Sequence, residues 1–321
     1  MAYSLDHFTG LIESALSDLR YPAEAPGLFD PVRYTLAGGG KRLRPSLLLA
    51  TYQALAHDDC SKAINQALAI EVFHNFTLLH DDVMDNADLR RGRPTAHLKW
   101  GANAAIISGD AMLTFSTQLL AHCPADRLAP LLAMFNKTAM EVYEGQQLDM
   151  EFETRADVRI NEYIRMIALK TSVLLGCACA LGAIMAYASE ADIKAMYDYG
   201  YTMGLAFQLR DDWLDTYGDP AVFGKEIGGD IINRKKTWLL ITALEESDGE
   251  LADTLNEDLE NNELIEQVRR IYDRYNVGQR CNDLARHYSD QAIAHLENVE
   301  MDNDARNFFR DLAVKAYTRS H

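Results

Sequence analysis

The chain has 321 residues, 48% apolar and 25% charged, which is the balance of a globular protein with a sizeable core, not of a disordered or fibrous chain. Its formal charge of -17 lacks the basic face that nucleic acid or an anionic membrane requires, so these are excluded as partners, whereas a small anion in a local basic pocket is not. Five cysteines, Cys60, Cys123, Cys177, Cys179 and Cys281, form no CxxC pair and leave one over on pairing, so they read as reduced thiols of a cytoplasmic protein.

The opening MAYSLDHFTGLIESALSDL carries acids at amphipathic spacing and lacks the basic stretch and apolar run of a signal or transit peptide. A break over Tyr21 to Pro31 is followed by the Gly-rich turn Gly38 to Pro45, which delivers Lys41, Arg42 and Arg44 ahead of a helix. Its spacing is not that of a Walker loop, but glycines permit close backbone approach and arginine presents a fork that matches phosphate oxygens. Helical periodicity then runs over Ala63 to Met84, ending in Asp81, Asp82 and Asp85. The following loop, Asp85 to Thr95, sets Arg90, Arg91 and Arg93 beside those acids.

After Pro130 the next proline is Pro220, so long helices are expected over Pro130 to Phe152, Ile160 to Ala188 and Ala191 to Leu214. The uncharged run Thr171 to Ala188 approaches membrane-spanning length, but its Ala, Gly and Cys content favours a buried core helix. Lys170 and Thr171 open that run, and a lysine within an apolar helix needs a partner, which a bound phosphate would supply. A break at Tyr217 to Asn233 follows a second acidic cluster, Asp211, Asp212 and Asp215, and the acidic stretch Glu245 to Glu263 reads as a solvated helix pair and its turn. No segment alternates with a period of two, so no strand is expected, and no stretch has the composition of an interdomain linker.

In a helix, positions i and i+4 share a face, so Asp81 pairs with Asp85, and Asp211 with Asp215. Like charges at that spacing repel, and both clusters close strongly apolar segments. Hard divalent cations offset such repulsion, because magnesium binds one or two carboxylates and completes its octahedron with phosphate and water. Either cluster alone is equally well a solvated helix end; the pair, with the basic elements, points to metal-bound diphosphate chemistry. Glu71 and His74 also form the Glu-x-x-His of a di-iron bundle, but that fold needs two such motifs and no second one exists.

GGGKRLRP, LLHDDVMDNADLRRGRPT, GQQLD at Gly145 to Asp149, LKTS, FQLRDDWLDTYGD, Gly224-Lys225 and Lys235-Lys236-Thr237 follow one another in an order that resembles the trans-type polyprenyl diphosphate synthases over nearly the whole chain. The resemblance implies an all-α fold, a single helical bundle over residues 1–321 around a deep central cavity, usually as a homodimer. It implies head-to-tail condensation of isopentenyl diphosphate with an allylic diphosphate, using about three magnesium ions per active site held by the six aspartates. By the same carry-over Lys41, Arg44, His74 and Arg91 hold the isopentenyl diphosphate. Arg90, Lys170, Thr171, Gln208, Lys225 and Lys235 hold the allylic one, and the Lys170 carbonyl and the Gln208 amide steady the allylic cation. A terpene cyclase is disfavoured by the fully acidic DDWLD, and a non-catalytic partner subunit by the retention of all six aspartates.

The helix that ends in the first cluster runs inward, so Phe76 and Thr77, just before Asp81, form the floor that stops the growing chain. Phe73, one turn deeper, and Phe115 are candidates for a second floor, with plain core packing the preferred reading of each. An aromatic at Phe76 accompanies short products in the resembled family, so farnesyl and geranylgeranyl diphosphates are the expected products, with longer chains as the alternative. His80 is expected to be a packed or hydrogen-bonded histidine, since a base there would compete for metal-bound oxygens.

Overall fold

A computed structural model describes residues 3–218 and 227–319. The described chain is almost entirely helical: α1 Leu5–Ser17, α2 Pro26–Leu36, α3 Leu43–Ala56, α4 Ile64–Met84, α5 Ala96–Trp100, α6 Ala102–Leu120, α7 Ala125–Thr154, α8 Ile160–Ile167, α9 Val173–Met185 and α10 Glu190–Tyr217. The later helices are α11 Gly229–Ile232, α12 Trp238–Glu246, α13 Glu250–Asn256, α14 Asn261–Arg274, α15 Val277–His295 and α16 Asn303–Thr318. The fold is all-α, as the sequence implies.

Two local features depart from the expected pattern. The loop after the first acidic cluster holds a small hairpin, Leu89–Arg90 paired antiparallel with Arg93–Pro94, so the expectation of no strand is corrected there. Its tip residues Arg91 and Gly92 have φ of 53° and 71°, the left-handed pair that suits the twist of a two-residue hairpin. The expected continuous helix from Ile160 is broken by a π turn over Ala168–Ser172. Such turns are rare and cluster at functional sites.

The chain divides into two compact units. The first comprises Met1–Asn136, Ala178–Lys194 and Glu300–Ala305. In it α1, capped by the Ser4 hydroxyl accepting from the His7 amide at 3.2 Å, buries Phe8 and Ile12. Gly182 lets the end of α9 approach α3, since a Cβ there would lie 2.4 Å from the Leu48 carbonyl oxygen. The core of this unit includes Leu47, Leu48 and Leu49 of α3 and Ile70, Val72 and Phe73 of α4.

The second unit comprises Lys137–Cys177, Ala195–Val299 and Arg306–His321. Its core gathers Tyr163 and Met166 of α8, Leu205 and Leu209 of α10, Leu239 and Ile241 of α12, and Val268 and Tyr272 of α14. The acidic stretch from Glu245 follows the sequence reading, with exposed carboxylates on short helices and Leu251 and Leu255 facing inward. The segment Ile160–Met185 is the one described span long and apolar enough to cross a membrane, and 83% of its apolar window is buried in protein.

Candidate active site

In the first unit the Gly-rich turn is built around positive φ: 73° at Gly39, 135° at Gly40 and 46° at Arg42. Arg42 points into the protein with its side chain fully buried. Its Nε donates to Glu13 Oε1 at 2.7 Å, one terminal nitrogen to the Leu36 carbonyl at 2.7 Å, and the other to Glu71. Asn75 also donates to Glu71, at 2.8 Å, so this carboxylate serves Arg42 and Asn75 and is no part of a Glu-x-x-His metal site. The Arg91 guanidinium donates to the Gly39 carbonyl and lies against Gly40, whose φ of 135° favours glycine there.

Arg44 Nη1 lies 3.2 Å from His74 Nε2. Arginine has no acceptor, so Nε2 accepts and the proton sits on Nδ1. Burial, then the charges of Arg44 and Arg91, hold His74 well below its ordinary range, and it remains neutral. Lys41 is exposed on the same turn. Four of the predicted anion ligands thus belong to one region of one unit.

The first acidic cluster closes α4. Asp82 is buried and accepts from Arg90 Nε at 2.8 Å and Nη2 at 2.6 Å, while Asp81 lies 3.6 Å from the same guanidinium. Asp81 is half-buried and Asp85 exposed. Arg93 stacks on the Tyr34 ring at 4.0 Å and donates to the Ala37 carbonyl at 3.0 Å, and Tyr34 donates to the Pro94 carbonyl at 2.7 Å. The three loop arginines therefore differ: Arg90 serves the aspartates, Arg91 the glycine turn, and Arg93 the anchoring of the hairpin.

Upstream of Asp81 a line of rings runs along α4. Phe76 lies 4.8 Å from His80 and 5.5 Å from Phe73, which meets Phe135 edge-on at 5.1 Å. Thr77 is half-buried and donates to the His74 carbonyl at 2.8 Å. His80 Nε2 lies 2.9 Å from the Ile106 carbonyl oxygen and packs on Gly109, where a Cβ would fall 2.1 Å from that nitrogen. Phe115 packs on Tyr21 at 5.6 Å, apart from the ring line.

In the second unit the π turn is held between two glycines. A Cβ on Gly145 of α7 would lie 2.3 Å from the Lys170 amide nitrogen, and one on Gly204 of α10 would lie 2.6 Å from Ser172 Cα. Close approach at both contacts sets Thr171 against α10, where its hydroxyl donates to Gln208 Oε1 at 3.0 Å. Gln208 Nε2 donates in turn to Asp212 Oδ1 at 3.0 Å, and Tyr163 donates to Asp212 Oδ2. Burial pushes the Asp212 carboxyl up, opposed by Lys235 and these donors. The Lys170 ammonium finds a protein partner, Asp149 at 2.6 Å, where the sequence reading looked to a phosphate.

Asp211 is paired with Arg319, whose guanidinium also stacks on Phe207 at 3.8 Å. Asp215 Oδ2 accepts from the Asp230 amide at 2.8 Å. Lys235 lies 3.9 Å from the Asp230 carboxylate; burial lowers its pKa, but Asp230 and Asp212 outweigh this and keep it above the usual lysine range. Lys236 instead donates to the Arg234 carbonyl at 3.2 Å. Lys225 lies outside the described residues.

Residues 25–275 match the family model for polyprenyl synthetase. The chain belongs to the polyprenyl synthetase family. It is 35% identical over 314 residues to the geranylgeranyl pyrophosphate synthase of Geoglobus acetivorans, covering 97% of both chains. It is 38% identical over 278 residues to the geranylgeranyl diphosphate synthase of Saccharolobus solfataricus, covering 84% of this chain and 83% of that one. A crystal structure of a geranylgeranyl pyrophosphate synthase superimposes with a TM-score of 0.95 at 41% identity, covering all of both chains. The protein is accordingly a prenyltransferase.

The carboxylates of this polyprenyl synthetase suit a hard cation that takes few protein ligands. Among the described residues no three acids, histidines or cysteines gather into a closed metal cage. Magnesium does not need one, since it keeps waters and substrate phosphate oxygens in its shell. Asp149, Tyr163, Asp230 and Arg319 touch predicted site residues without having been singled out from sequence themselves. GQQLD contains Asp149, but Tyr163 and Arg319 carry no local signal, being set by hydrogen bonds that span 49 and 108 residues.

Proposed function

We infer that this prenyltransferase condenses isopentenyl diphosphate with an allylic diphosphate in a magnesium-dependent reaction, giving farnesyl or geranylgeranyl diphosphate and inorganic diphosphate. The observation that carries this reading is the sorting of the cations. Among the described residues Arg91 makes no ion pair with a carboxylate, and it stands with Arg44 and neutral His74 around the glycine turn. Arg90, Lys170 and Lys235 instead lie against aspartates. The first set suits a diphosphate bound without metal, the second a diphosphate shared with metal-ligating acids.

Asp81, Asp85, Asp211 and Asp215 are assigned to the metal directly; Asp82 and Asp212, buried against Arg90 and Tyr163, orient them. Bound magnesium, about three ions per active site by family likeness, supplies charge stabilisation on the leaving diphosphate. Arg90, Lys170 and Lys235 add to it. The allylic carbon–oxygen bond breaks, the double bond of isopentenyl diphosphate forms the new carbon–carbon bond, and the C2 proton passes to the departed diphosphate. The Lys170 carbonyl and the Gln208 amide oxygen steady the cation, and Lys41, Arg44, His74 and Arg91 hold the acceptor in line. Phe76 and Thr77, with Phe73 beneath, set the floor.

The same reading takes the protein as a homodimer in the cytoplasm. Leu98, Ile106 and Ile107 expose apolar surface on α5 and α6, which a second copy would cover, and all five cysteines are free. Calorimetry tests the sorting directly. An unreactive allylic thiodiphosphate should bind only with magnesium, and isopentenyl diphosphate without it but not to Arg91→Ala. Metal-dependent binding of isopentenyl diphosphate would overturn the assignment.

A further inference from the structure

Of the three cations in the glycine turn, Arg42 has its side chain fully inside the protein. Its side chain is fully buried and is shared by Glu13 of α1, Glu71 of α4 and the last carbonyl of α2, at Leu36. This guanidinium gives donors to two carboxylates and a carbonyl and, with its side chain fully buried, presents none to a substrate. The backbone at Arg42 is left-handed, with φ of 46°, a conformation that costs energy for any residue other than glycine and persists where surrounding contacts enforce it.

We propose that Arg42 is a positioning residue that sets the geometry of the isopentenyl diphosphate site. This rests on the functional reading above. The buried fork ties α1, α2 and α4 to the turn at one point. Its left-handed backbone directs the neighbouring Lys41 outward and starts α3 so that Arg44 meets His74. The turn so fixed presents the Gly39 carbonyl that receives Arg91. One internal arginine thereby places three substrate-facing cations and a neutral histidine. Lysine cannot reproduce this, because a single ammonium lacks the planar fork that spans three acceptors.

The test compares Arg42→Lys and the milder Glu13→Gln with wild type, following KM for each substrate, kcat, circular dichroism and the metal-free binding of isopentenyl diphosphate by calorimetry. Glu13 is half-exposed, so its substitution tests the contact even if Arg42→Lys fails to fold. We expect folded Arg42→Lys to weaken isopentenyl diphosphate binding about 10- to 100-fold, as displaced binding groups do, with Glu13→Gln weakening it by less and the allylic KM unchanged in both. Equal weakening of both substrates, or unchanged isopentenyl diphosphate binding in the folded variants, overturns the proposal. Wild type that elongates no primer would instead overturn the functional reading.

Discussion

Gly145 meets the backbone of Lys170 so closely that a methyl group has no place between them: a Cβ would stand 2.3 Å from the Lys170 nitrogen and 2.7 Å from its Cα. Both atoms belong to the π turn, so neither can swing aside as a flexible side chain would. Gly145→Ala must therefore push α7 away from the turn that carries Lys170 and Thr171. We expect a stability loss of about 1 to 3 kcal/mol, as for overpacked interiors, together with a lower kcat. Gly10→Ala, where nothing lies within 4 Å, is the control. Thermal unfolding and steady-state kinetics on the two variants check this; equal behaviour would refute the role of the contact.

Asp211 and Asp212 are adjacent in sequence but not equivalent. Asp212 is buried and spends both oxygens on Gln208 and Tyr163, whereas Asp211 is partly exposed and is held by Arg319. Asp211→Asn should therefore lower kcat more than Asp212→Asn. Tyr163→Phe should cost about 1.5 to 3 kcal/mol of stability, since it removes a hydrogen bond to a buried charged group. Denaturant unfolding checks the second statement, and metal-dependent kinetics the first.

His74 carries a pH signature. Its folded pKa lies well below the ordinary 6.5, so below about pH 6.5 the unfolded chain takes up a proton that the folded chain refuses. Stability contributed by His74 is present above that pH and is lost as the pH falls through it. His74→Gln lacks the titration. The difference in Tm between wild type and this variant should shrink between about pH 7.5 and pH 5.5. A constant difference would show that His74 takes up its proton alike in the folded and unfolded chain, and would contradict the lowered pKa.

Phe76 stands between His80 and Phe73 in the ring line along α4. Phe76→Ala opens space on the side away from Asp81, and the products should lengthen in a radiolabelled chain-length assay. Because Phe73 and Phe135 lie beneath, Phe76→Ala together with Phe73→Ala should lengthen them further. An unchanged distribution removes Phe76 as the floor. Phe115→Ala, whose ring packs on Tyr21, should leave product length close to that of wild type.

Much of this architecture is legible in the sequence, for identifiable reasons. Helical periodicity with almost no proline after Pro130 exposes the long helices, and i, i+4 aspartates at their ends expose both clusters. The π turn is invisible because Ala-Leu-Lys-Thr-Ser has ordinary helical composition, and what shapes it are Gly145 and Gly204, far away in the chain. The hairpin escapes because strands of two residues are too short to alternate. The three cations of GGGKRLRP look alike as letters; burial alone separates Arg42 from Lys41 and Arg44. The carboxylate that partners Lys170 is likewise fixed by tertiary packing, 21 residues away at Asp149.

The central claim is tested most directly by incubating the protein with magnesium, isopentenyl diphosphate and each of dimethylallyl, geranyl and farnesyl diphosphate, followed by product analysis with and without a chelator. Magnesium-dependent elongation that ends at farnesyl or geranylgeranyl diphosphate is the predicted result. Failure to elongate any of the three primers, or elongation that persists after magnesium is removed, would contradict it.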